Sequence, residues 1–363
     1  MVITGFSGCD REEPGKIDNR DRAPMLIHWA DNIVIPSYEN FRTLLGELTN
    51  ASNSFAESPS SSSLLELRNV WTDTYIGWQK VELFEFGPAD KYTLRNFFNI
   101  YPANVAAIFQ NIANPSANLD VPANYTTQGF PALDYLINGV GGNDGEIVEF
   151  YTDGVEGPAR INYLQKLVTR MTSRLDNVMA EWNTYRDTFV SRTGLDIGSS
   201  TGLVVNAYVL YYERFIRSGK FGIPSGAMTT SGGTEFPEKV EAVYKRDISL
   251  TLAKTAHQAV IDFFLGKDAM TGETGPSLKS YLDALDARDV TSGSLLSEII
   301  LAQLEVAQAS MNPLSEDLYQ EVLTNNDGMI AVFAEMEKAT RMLKVDLTSA
   351  MSITITYTDN DGD

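Results

Sequence analysis

The sequence predicts an all-α protein built from two helical-bundle halves. Three observations predict it. From Ala23 onward the apolar residues recur every three or four positions nearly throughout. Strand signal is confined to Ser352-Ile353-Thr354-Ile355-Thr356-Tyr357, which alternates cleanly but is short enough to lie as an extended tail on a bundle. The helical segments fall into two sets of roughly four on either side of Gly194, the pattern of paired bundles. The expected division is therefore a tether over 1–22, a bundle over 23–194 and a second bundle over 195–363.

The first helix carries Met25, Trp29, Ile33, Tyr38, Phe41, Leu44, Leu45 and Leu48 on one broad face. Pro36 has no amide hydrogen to give and is expected to bend it. The run Ser58-Pro59-Ser60-Ser61-Ser62-Ser63 ends this helix and offers a hydroxyl cap to the next, with Glu66 in its first turn. That second helix is expected to carry Leu64, Leu67, Val70, Trp71, Tyr75, Trp78, Val81 and Leu83 before Gly87-Pro88 stops it. So aromatic a helix belongs in the middle of a bundle.

Prolines 102, 115, 122 and 131 break residues 90–156 into short pieces, with helices near 103–113 and 130–138. A long helix follows over 158–192, with Pro158 in the first turn, where a missing amide costs nothing. Its face runs from Ile161 through Trp182 to Phe189. After Gly194 the pattern resumes with an aromatic helix over 199–218, a Gly/Thr/Ser loop over 226–234, and a helix over 237–265. Shorter helices near 276–287 and 293–311 precede a last one over 315–349. Tyr75 to Pro88 and Tyr208 to Pro224 both run from aromatic helix to charge to Phe-Gly and proline, which suggests an internal duplication.

The chain has 363 residues, 48 acidic against 28 basic, for a formal charge of -20. Such a surface repels polyphosphate and offers no basic stripe for counterion release, so nucleic acid is not an expected partner. No apolar run approaches the roughly twenty residues that a transmembrane helix needs. One cysteine, Cys9, excludes an intrachain disulfide and a thiolate cluster, and two histidines without an HExxH exclude the common zinc hydrolase site.

Met1 to Cys9 is similar to the tail of a bacterial lipoprotein signal, in which small residues precede a cysteine that becomes acylated. Asp10 to Lys16 reads as the polar tether that joins such an anchor to its domain. On this reading Cys9 carries the lipid and the membrane is a partner; on the other, Cys9 is a stray thiol in a terminal tail.

Few residues offer chemistry. Glu82 and Glu85 sit three apart in an aromatic stretch, where a buried carboxylate needs a cation, a donor or a metal. An ion pair with Arg68, Arg95 or Arg214 would serve equally. Asp134 lies among Phe130, Leu133 and Leu136, and is either partly buried or a capping residue. His28 and Asp31 are three apart and could share a metal or simply hydrogen-bond on a helix face. His257 lies on an apolar helix as a core histidine. No Gly-x-Ser-x-Gly occurs. Asp359-Asn360-Asp361-Gly362-Asp363 begins like a calcium loop but lacks the distal glutamate, and reads as a solvated acidic tail.

Trp71 to Pro88, Gly129 to Gly139, Lys220-Phe221-Gly222-Ile223-Pro224, and the stretch from Leu343 to Asp363 together resemble the imelysin-like family of bacterial periplasmic and lipid-anchored proteins. The resemblance spans most of the chain past residue 23. It implies an all-helical fold of two bundle-like halves with a cleft between them, a bacterial envelope location and a tie to iron uptake. The family's founder was described as an insulin-cleaving protease with a Gly-x-His-x-x-Glu motif. Here that motif reads Gly129-Phe130-Pro131-Ala132-Leu133-Asp134. Proline has no lone pair for a metal and no proton to shuttle, so neither a metallopeptidase nor a general base can run through position 131.

Glu82, Phe86, Gly87, Gly129, Asp134, Lys220 and Gly222 are then the expected ligand-binding residues. Three readings stay open. One is a non-catalytic envelope protein that binds iron, another divalent cation or an iron-bearing partner. Another is a divergent metallopeptidase, and the third is a scaffold with no small ligand.

Overall fold

The computed structural model describes residues 20–228 and 232–358, and these form an all-α protein. Cys9, most of the tether and the acidic run after residue 358 lie outside the described residues. No strand is present among the described residues, only single bridges at Lys267–Thr274 and Arg288–Leu295. No described helix is long and apolar enough to cross a membrane.

The first helix is one rod in three parts: Ala23–His28, a π-helical turn Trp29–Val34, and Ile35–Glu57. The expected bend at Pro36 takes the form of this wide turn. Pro36 cannot donate to the Asn32 carbonyl, and that carbonyl instead accepts the amide of Ala269 at 2.8 Å. The proline thus leaves an acceptor free to hold a loop from the far half of the chain.

Ser60 and Ser63 form a reciprocal capping box that starts Ser61–Gln79. The first rod, Ser61–Gln79 and the long helix Gly157–Ser191 pack together as the first bundle, with Trp29, Trp71, Trp78 and Trp182 all buried. The long helix starts with Pro158 in its first turn, as the sequence indicates. Arg22 ties down the chain after it, donating to the carbonyls of Thr193 at 3.3 Å and Gly194 at 3.2 Å.

The second bundle joins four rods. Ser200–Leu210 continues without a break through the π-helical stretch Tyr211–Gly222 into Ile223–Ser225. Ser249–Leu265, Leu296–Ser310 and Asn326–Arg341 pack around it. The extended tail lies on this bundle, where Asn206 donates to the Thr354 carbonyl at 3.0 Å and accepts from the Thr356 amide at 2.8 Å. Ser61–Gln79 packs on Ser249–Leu265, so the two halves meet along those helices.

Three expectations need correction. The helix expected through Leu83 stops at Gln79, and Glu82–Phe84 is a single tight turn. The last helix is split: Leu318–Thr324 ends at Asn325 before Asn326 restarts it. Most consequential, the helix expected over 237–265 starts only at Ser249. Before it, residues 240–248 run irregularly with Ala242 at φ 55° and Arg246 at φ 60°. The two segments that echo each other in sequence also differ locally. Gly87 sits at φ 55° in a turn, whereas Gly222 lies inside a continuous helix at φ -65°.

Candidate functional site

The chain brings four charged side chains together inside the junction of the halves. Glu82 comes from the tight turn after the second helix, Arg95 from the short helix Leu94–Phe98, Lys220 from the π-helical stretch and Glu241 from the irregular segment. Their exposures are 2%, 7%, 3% and 2% respectively, low enough that each must find its partner within the protein.

They do. Arg95 Nε donates to Glu82 Oε1 at 3.2 Å and Nη2 to the Glu82 carbonyl at 2.8 Å. Asn99 Nδ2 bridges the two acids, 3.2 Å from Glu82 Oε2 and 2.8 Å from Glu241 Oε1. Lys220 Nζ pairs with Glu241 and donates to Gln79 Oε1 at 2.9 Å. Gln79 Nε2 donates to Glu241 Oε1 at 3.0 Å. The Tyr75 hydroxyl lies 2.7 Å from Asn99 Oδ1 and 2.9 Å from Glu241 Oε1.

The guanidinium of Arg95 also lies over the Phe215 ring, 3.8 Å from its centre. Two acids face two bases, and the network is neutral in formal charge. Burial raises the pKa of Glu82 against the opposing pull of Arg95 and Lys220. Burial and the nearby acids push the Tyr75 and Tyr211 phenols well above their usual range, so both stay neutral. The Tyr211 hydroxyl is buried with no hydrogen-bond partner among the described residues.

Asp134 sits beside this network and holds the segment that carries Glu241. Its carboxylate accepts the amides of Tyr244 and Lys245 and the side-chain amide of Asn138, each at 3.0 Å. Burial still pushes it up to about 7. Gly129 is required by its backbone: φ is +74°, and a Cβ there would lie 2.3 Å from the Phe98 carbonyl oxygen. Pro131 is buried in the first turn of Gly129–Asp134, where its absent amide would have had no helical partner anyway. Phe130 stacks on Tyr75 at 4.4 Å.

The remaining sequence-predicted residues serve packing. Phe86 stacks on Phe189 at 5.8 Å. A Cβ on Gly87 would lie 2.6 Å from the Tyr185 ring, and one on Gly222 would lie 2.7 Å from the Phe333 ring. Of the seven expected residues, the network unites Glu82 and Lys220, with Asp134 at its border. Glu85 accepts the Arg95 amide at 3.2 Å, and burial lifts it to about 7. Arg68 pairs instead with Asp144 at 2.7 Å.

The histidines stand apart from all of this. His28 Nε2 meets the Gly266 carbonyl at 2.8 Å, while its neighbour Asp31 accepts from Arg186 Nε at 2.9 Å, so the two do not share a partner. His257 is fully buried beside the Tyr212 hydroxyl at 3.0 Å, and burial lowers it to about 4. Among the described residues no three His, Cys, Asp or Glu side chains gather as a metal site.

An open groove of about 750 Å³ lies elsewhere on the junction. One wall comes from the first rod and the end of the second helix, with Asn40, Leu44 and Lys80. The other comes from Ser249–Leu265 and the loop after it, with Lys254, Gln258 and Lys267. Phe41, Phe84 and Phe263 form an apolar floor. Neither wall was legible in the sequence, because Lys80 and Lys254 look like ordinary solvated lysines. Glu241 was hidden by the helical period of the residues around it; its one signal is an acid set among Val240, Ala242 and Val243.

The imelysin family model matches residues 34–343. A relative named iron-regulated protein A, from Synechococcus elongatus, is 24% identical over 136 residues, or 38% of this chain. That match covers 36% of the relative's own length. An imelysin-like protein from Psychrobacter arcticum has the same fold with a TM-score of 0.69 at 17% identity, covering 93% of this chain and 97% of that one. A protein described as an iron-regulated protein A precursor, from Parabacteroides distasonis, gives 0.71 at 16% identity, with 90% and 95% covered. At these identities the likeness to the two solved structures is one of fold.

Proposed function

This chain belongs to the imelysin family, and we propose that it is a non-catalytic envelope member, tied to iron uptake, that binds its ligand at the junction of the two halves. One observation carries the reading. At the family's motif the histidine position is a buried proline and the acidic position, Asp134, is committed to two backbone amides across the junction. Asp134 accepts three hydrogen bonds that hold the fold, and Pro131 offers no lone pair, which supports a motif that neither activates water nor holds a metal. An open groove formed by both halves is the natural seat for a ligand, and its volume falls within the usual range of about 300–1,000 Å³ for small-molecule sites. The names of the Synechococcus and Parabacteroides relatives support the tie to iron.

The test has two arms. Purified full chain is incubated with insulin chains and added zinc, manganese or iron, and no cleavage is expected. A strain lacking its own copy is then complemented with wild type or with Thr255→Trp, which fills the groove, and grown under an iron chelator. Rescue by wild type alone is the expected result. Metal-dependent cleavage that disappears with Asp134→Asn would overturn the reading, as would full rescue by the filled groove.

A further inference from the structure

The charges of the junction groove point to one class of ligand. Three lysines and two aspartates line it. Asp262 pairs with Lys267 at 2.7 Å and accepts from Gln258 Nε2 at 2.9 Å. Asp268 accepts from Asn32 Nδ2 at 2.8 Å and from the amides of Met270 and Thr271 at 2.8 and 2.9 Å. Both acids are thus engaged by donors of the protein itself. No described carboxylate lies within ion-pair distance of Lys80 or Lys254, which both line the groove, one from the end of Ser61–Gln79 and the other from Ser249–Leu265. A divalent cation would meet two ammonium groups and acids already satisfied, whereas an anion would meet two ammonium groups that no described carboxylate engages.

The floor narrows the class further. Phe41, Phe84 and Phe263 are nearly fully buried side chains that form its base, with Phe84 and Phe263 ring centres 5.7 Å apart at a steep angle. Half-buried Leu44 and Ala259 also line the groove and offer a flat apolar body a surface to lie on. The net charge of -20 repels anions at long range, but at physiological salt that repulsion is screened beyond about 8 Å, and the local lysines decide the contact.

We infer that the groove takes a small organic anion, a carboxylate on an aromatic or similarly flat apolar body, held between Lys80 and Lys254. This deepens the junction-ligand reading and rests on it.

The probe is 2-naphthoate, titrated calorimetrically into the purified full chain beside its neutral counterpart 2-naphthamide. Naphthoate is expected to bind at least about tenfold more tightly than the amide. The paired variant Lys80→Glu, Lys254→Glu is expected to lose at least about tenfold in naphthoate affinity, and Lys80→Arg, Lys254→Arg to keep it. Thermal melts of both variants confirm that they fold. Failure of naphthoate to bind, equal affinity for the amide, or indifference to charge reversal would overturn the inference. If Thr255→Trp still abolishes growth under chelation in that case, the junction reading stands and only the anionic class falls.

Discussion

Two charged regions straddle the same junction and have opposite fates. The network of Glu82, Arg95, Lys220 and Glu241 is closed to water, with every charge paired inside the protein. The groove around Lys80 and Lys254 is open, with both ammonium groups left to whatever enters. Acids and bases facing one another across two helical halves do not make a binding site by themselves; access does. Glu82 and Lys220 of the sealed region come from segments that carry the family resemblance, and Arg95 and Glu241 from outside them, so here part of the signature serves to join the halves. The open region shares only Gly77 to Phe84 with those segments, and its far side, from Lys254 to Gly272, carries no signature.

The comparison can be broken most forcefully from the sealed side. Lys220→Met leaves Glu241 buried without its cation, and removal of one member of such a pair costs about 3–5 kcal/mol. Urea unfolding reads it directly, and a loss below about 1 kcal/mol would mean that water already reaches the network.

Asp134 sharpens the same contrast through pH. Its native value of about 7 lies above its ordinary 3.8. Between those values the native state holds a proton that the unfolded chain has released, so stability falls as pH rises through the window and is level above it. Glu85, also near 7, adds to the fall, while His257, lowered from 6.5 to about 4, opposes it below 6.5. Relative to Asp134→Asn, wild type is expected to lose roughly 4 kcal/mol of stability from about pH 4 to about pH 8. Parallel curves for the two proteins would contradict the burial of this carboxylate.

Gly129→Ala tests the backbone beneath the network. A methyl group would press on the Phe98 carbonyl at a φ that L-residues rarely adopt, and roughly 2 kcal/mol of destabilisation is expected by thermal melting. The open side gives the smallest stability effect. Lys80→Glu or Lys254→Glu is expected to move unfolding by no more than about 0.5 kcal/mol, because neither amine has an ion-pair partner to lose among the described residues.

The sequence made the helices legible because long amphipathic repeats and their caps are local properties. The serine cap after residue 58 and Pro158 in a first turn follow from neighbouring residues, as does the extended form of 352–357 from its own alternation. Arg95 was legible as one of three partners for a buried Glu82. Glu241 was not, because its segment has a helical period and no glycine or proline to break it. What breaks it is tertiary: Asp134, more than a hundred residues earlier, takes the amides of Tyr244 and Lys245. The groove was equally hidden, since a cavity depends on how two halves meet.

The central claim is that ligand occupies the open groove and leaves the sealed motif region alone. Hydrogen exchange of the full chain with and without 2-naphthoate tests it most directly. New protection is expected in 33–44 and 254–272, with 129–139 and 240–247 unchanged. Protection centred on Gly129, Asp134 and Glu241 instead would contradict it.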